Sequence, residues 1–108
     1  MSAVSTHVLD TTLGRPAAGV PVRLEADGGT VLATGTTDED GRISELGPDR
    51  IAPGTYRLVF DTAGYFASTG RACFFHEVGI AFTVADPAER YHVPLLLSPF
   101  AYSTYRGS

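Results

Sequence analysis

The sequence has one cysteine, Cys73, in 108 residues, and no tryptophan. A lone cysteine closes no disulfide within the chain, so a reducing compartment is the natural setting. No stretch approaches the roughly 20 apolar residues that span a bilayer. The opening MSAVSTHVLD has neither a charged leader nor a long apolar run, and does not read as a secretory signal. The closing Arg-Gly-Ser is no peroxisomal address. No basic run interrupts the net charge of −4, which argues against a nucleic-acid partner. Together these absences predict a soluble, cytoplasmic protein with no membrane and no nucleic acid among its partners.

Familiar catalytic signatures are missing as well. There is no G-x-S-x-G, and neither DGG nor TTDEDG is followed by the lysine or helix of a phosphate loop. Cys73 lies between GRA and two phenylalanines, an apolar setting where a thiol is usually inert. Of His7, His76 and His92, no two have the close spacing of zinc motifs, so no metal and no other cofactor is expected. Taken singly, each histidine reads as a surface or hydrogen-bonded residue on a strand.

What is present describes a folded β protein. Hydrophobic residues make up 44% and charged residues 19%, and no linker divides the chain, which predicts one domain over residues 1–108. The 12 glycines and 7 prolines are spread evenly and separate short alternating runs. In GVPVRLEAD, Val20, Val22, Leu24 and Ala26 share one face, while Pro21, Arg23 and Glu25 share the other. Pro21 puts that strand at an edge or puts its own nitrogen at a non-donating position. TVLATGTT, GTYRLVF, FFHEVGIAFTVAD, YHVPLLLSP and AYSTYRGS also read as strands, and DEDG at 38–41 as a tight turn. DTAGYFASTG reads as one short helix, with Asp61 as its N-cap and Gly70 closing it. Seven or eight short strands and one helix predict an all-β sandwich.

The last strand carries the densest chemistry. Alternation puts Ala101, Ser103 and Tyr105 on one face and Tyr102, Thr104 and Arg106 on the other, with Ser103 and Tyr105 about 7 Å apart. His92, Pro94 and Leu96 share a face of the strand before it. If the two strands pair, a polar patch of His, Ser and Tyr forms. On pattern alone the plainer reading is an edge strand kept soluble by polar residues.

The stretches STHVLDTTLGRPAAGVPVRL, TDEDGR, GTYRLVFDTAGYF and YHVPLLLSPFAYSTYRGS, in that order over nearly the whole chain, resemble the 5-hydroxyisourate hydrolases, transthyretin-like enzymes of urate breakdown. The terminal YRGS is the most specific element. The resemblance implies a two-sheet, eight-stranded sandwich with one short helix. It also implies a homotetramer, a dimer of dimers, with sites in a central channel lined by the last strand. It implies a metal-independent opening of the ring of 5-hydroxyisourate, the small-molecule partner. His7, Arg42, His92 and Ser103 would be catalytic; His7, Arg42, Tyr105 and Arg106 would bind substrate.

In this reading His7 and His92 serve as base and acid, in an order the sequence leaves open. The planar fork of Arg42 binds carbonyl oxygens and counters developing charge. Ser103 orients water or an imidazole, and Tyr105 hydrogen-bonds substrate. The transthyretins, hormone carriers with the same fold, lack the His, Arg and His set and the YRGS end. A small-ligand carrier or a protein-binding module would leave that set incidental. His76 stands where the enzymes commonly have proline, and is read as structural.

Overall fold

Alternation along the chain becomes two facing sheets. The computed structural model describes residues 2–108. Its strands are β1 (Val4–Asp10), β2 (Arg15–Pro16), β3 (Pro21–Ala26), β4 (Val31–Thr36), β5 (Arg42–Ile43), β6 (Gly54–Phe60), β7 (Val78–Val84), β8 (Tyr91–Ser98) and β9 (Ala101–Thr104), and its helix is α1 (Thr62–Ser68). One sheet runs β2-β1-β8-β9, with β5 also paired to β1; the other runs β4-β3-β6-β7. β1 and β8 are parallel, from Val4 opposite Tyr91 to Asp10 opposite Leu97. Seven strands of four or more residues and two of two residues make up this sandwich among the described residues.

The inner faces follow from period two. β1 buries Val4, Thr6, Val8 and Asp10, and β8 buries Tyr91, Val93, Leu95 and Leu97. Across the core lie Val22 and Leu24 of β3 and Leu58 and Phe60 of β6. Each such side chain contributes roughly 1.5–3 kcal/mol by leaving water. Because those residues hold the sandwich together, the outer face of β1 and β8 is free to carry Ser5, His7 and His92.

Asp61 caps α1 by accepting from the Gly64 amide at 2.9 Å, and Gly70 follows the helix at φ +70°. Pro21 starts β3, an interior strand, so its missing N–H is lost at a strand end. Two expected strands are shorter than the sequence suggests. Phe74–Glu77 stay outside the ladder. There the Phe74 amide donates to Pro99, and the Phe75 and His76 carbonyls accept from the start of α1. The final strand stops at Thr104, then touches β8 once more where Gly107 bridges His92. In register, the gap falls beside Pro94, which has no N–H to donate.

Candidate active site

The turn before Arg42 is built by its own sequence. The Asp38 carboxylate accepts from the amides of Asp40 and Arg42 at 2.9 and 3.0 Å. Gly41 closes the turn at φ +74°, and a Cβ there would strike the Val8 carbonyl oxygen. That same turn is tied to β1, because the Val8 amide donates to the Gly41 carbonyl at 2.7 Å. The result sets Arg42 directly across the ladder from His7. On the other side of β1, Ser5 lies opposite His92 and His7 opposite Pro94. Three residues distant in sequence, His7, Arg42 and His92, thus meet on one outer sheet face.

Beside them opens a cavity of about 470 Å³, whose lining includes Ser5, Arg42, Glu45, Arg90, His92 and Ser108. His7 is not part of that lining; it occupies the next outward position of β1 after Ser5. Ser5 Oγ and His92 Nδ1 lie 2.8 Å apart in a hydrogen bond. Burial and then the like charges of Arg42 and His7 hold the His92 imidazole below its usual pKa. His92 therefore resists protonation and keeps a lone pair available near neutral pH. A neutral imidazole beside a permanent guanidinium can move a proton while the cation steadies an oxyanion.

The remaining expected residues are placed elsewhere in the chain. Ser103 sits opposite Leu96, four residues along β8 from His92, or about 14 Å. Arg106 pairs with Glu89 at 2.8 Å and lies over the ring of Tyr91, an inward-facing residue, so within one chain it does not join His92. Tyr105 lies with Thr104 and Arg106 on a largely apolar cleft between β7 and the β8–β9 side. His76 lines a shallow groove on the other sheet. Among the described residues, no three His, Cys, Asp or Glu side chains group closely enough to hold a metal ion.

No sequence motif assigns a site role to Ser5, Arg90 or Ser108. Once β1 is a strand, period two places Ser5 on the His7 face. Ser108 reaches the cavity only because the chain rejoins β8 at Gly107, a long-range contact that local pattern does not announce.

Residues 4–107 match the HIUase/Transthyretin family. The 5-hydroxyisourate hydrolase of Salmonella dublin is 50% identical over 97% of this chain and 80% of its own length. That of Mus musculus is 44% identical over 99% of this chain and 96% of its own. The structure of Klebsiella pneumoniae 5-hydroxyisourate hydrolase superimposes with a TM-score of 0.91 at 39% identity, covering 99% of this chain and 100% of that one. A match of this extent, over a sandwich of the same architecture, places the chain in that family: it belongs to the HIUase/Transthyretin family.

Proposed function

We propose that the chain hydrolyses 5-hydroxyisourate, opening its six-membered ring in urate breakdown. The observation that carries this reading is a neutral-leaning His92 next to Arg42, at an open cavity, in a chain that is half identical to a named hydrolase. Water adds to a ring carbonyl carbon: a C–O bond forms as one imidazole takes the proton. Arg42 counters the charge on the carbonyl oxygen. The C–N bond then breaks, and the leaving nitrogen receives a proton from an imidazolium, so one water is consumed and no proton is lost. His7 and His92 share these two transfers.

A homotetramer built as a dimer of dimers belongs to the same proposal. Its support is that β9 and β7 are the edge strands of their sheets, and that Phe74, Phe100 and Tyr102 are exposed large aromatics. Assembly would bring Ser103, Tyr105 and Arg106 of another copy within range of a site they do not reach in their own chain. Residues 1–108 act as one catalytic domain. A cytoplasmic location is proposed on the single cysteine; no helix among the described residues is long and apolar enough to cross a membrane.

The test is optical. Freshly made 5-hydroxyisourate decays spontaneously, and its ultraviolet band should vanish at least about 100-fold faster per site with this protein than in buffer. Decay at the buffer rate, with light scattering reporting an intact oligomer, would refute the reading.

A further inference from the structure

His92 is gripped on two sides of its ring. On the β1 side its Nδ1 meets Ser5 Oγ at 2.8 Å. This contact is set by the parallel ladder, which puts the two residues opposite each other. On the other side lies Gly107, whose amide donates to the His92 carbonyl at 2.9 Å. A Cβ built on Gly107 would stand 2.5 Å from His92 Cδ2 and 3.2 Å from Pro94 Cγ. The glycine at this position is needed for room, because the imidazole edge already fills the space a side chain would take.

We propose that Ser5 and Gly107 form a cradle that locks the His92 ring in one orientation and leaves Nε2 as the nitrogen that exchanges protons with substrate. A half-turn of the ring would set a carbon opposite the Ser5 hydroxyl and lose the bond. A tilt toward the tail would drive Cδ2 into the Gly107 backbone. Nδ1 is taken by Ser5, so Nε2 is left for the reacting atoms. Ser5 and Gly107 are positioning residues: they act through His92. The tail thereby gains a second use, since its glycine shapes the ring's resting place while Ser108 lines the cavity. The charges of Arg42 and His7 act on the ring, and Glu45 and Arg90 line the same cavity. The Ser5 variants below leave all of them in place.

This inference rests on the hydrolytic reading for its rate measurements but not for its spectroscopic one. Four variants are needed: Ser5→Ala, Ser5→Thr, Gly107→Ala and, as a reference, His92→Asn. Nitrogen-15 spectra of the imidazole in the intact protein report which ring nitrogen carries the proton, with the His92→Asn spectrum assigning the signals. The parent should show one dominant tautomer for His92, and Ser5→Ala a mixture of two. In the ultraviolet assay, Ser5→Ala should lose at least about tenfold in kcat with KM little changed, and its acid limb should move. Ser5→Thr, which keeps the hydroxyl, should recover to within about threefold of the parent. Gly107→Ala should lose about as much as Ser5→Ala while unfolding at the parent's temperature. The proposal is overturned if Ser5→Ala keeps the parent's tautomer and rate, or if Ser5→Thr is as slow as Ser5→Ala. If the parent fails to hydrolyse 5-hydroxyisourate yet Ser5→Ala alone mixes the tautomers, the activity reading falls and the cradle stands.

Discussion

Arg71 and Arg42 each sit beside a titratable side chain, one facing an opposite charge and the other a like charge. Arg71 meets Asp10, which is completely buried and also accepts from the Tyr65 hydroxyl at 2.7 Å and the Leu13 amide at 3.1 Å. Burial raises the Asp10 carboxyl, but the Arg71 and Tyr65 hydrogen bonds, the Leu13 amide and the Arg71 charge together outweigh it and hold the group below its usual range. That cluster joins the end of β1 to α1. Arg42 instead meets His92, and its charge works with burial to discourage the imidazole from becoming a cation. One arrangement lowers the energy of the charged form and stiffens the fold. The other raises it and favours the neutral imidazole, which is how perturbed groups at functional sites differ from those in structural ion pairs.

The comparison breaks most visibly at Asp10. Asp10→Ala strands a largely buried guanidinium and a buried phenol, and should cost about 3–5 kcal/mol in urea denaturation. Catalysis per folded molecule should stay near the parent's, since Asp10 is on the inner face. A loss under about 1 kcal/mol would mean that Arg71 finds water and the cluster is ornamental.

The opposite pattern is expected on the outer face. His7→Asn and His92→Asn should each lower hydrolysis by at least about 100-fold, with thermal unfolding close to the parent's. Near-normal turnover in either variant would remove that histidine from the proton transfers. Arg42→Lys keeps the charge and loses the planar fork, so it should behave like Arg42→Ala. Lysine performing like the parent would show that charge alone suffices.

The finest difference is in pH. His92 has a folded pKa below its ordinary 6.5, so the unfolded chain binds its proton first on acidification. Its contribution is therefore present above about 6.5 and shrinks as pH falls toward the folded value. Asp10 also has a depressed folded pKa, so its contribution is present above 3.8 and is lost as pH falls through its folded value. Urea midpoints between pH 8 and pH 5 should fall for the parent and less for His92→Asn. Parallel curves would show that His92 is not held below its usual pKa.

Much of this was legible in the sequence because it rests on local pattern. Period two shows the faces of β3 and β8, Asp61 and Gly70 bound the helix, and DEDG displays a turn, whereas nothing in the local pattern marks β1 as a strand, and Arg42 is singled out only by the family resemblance. Sheet order was less visible, since the parallel β1–β8 pairing that brings Ser5 to His92 joins residues 87 apart. The Asp10 cluster escaped notice for the same reason: an aspartate in an inward position of a strand makes sense only once Tyr65 and Arg71 arrive from the helix and the loop after it. Alternation predicts one strand through the tail, but Pro94 interrupts its ladder and lets Arg106 turn to Tyr91 and Glu89. The residue types of the site could be seen in the sequence, whereas their spacing in the tail depended on a proline in the neighbouring strand.

The reaction is placed on the outer face of β1 and β8, between Arg42 and His92. A crystal structure with a bound, non-hydrolysable purine analogue tests it most directly. The flat ring should lie in the cavity lined by Arg42, His92 and Ser108, with a ring heteroatom about 2.6–3.2 Å from His92 Nε2. An analogue seated instead in the cleft of Tyr105 and Arg106, or on the outer face of β3 and β6, with this cavity left to solvent, would contradict it.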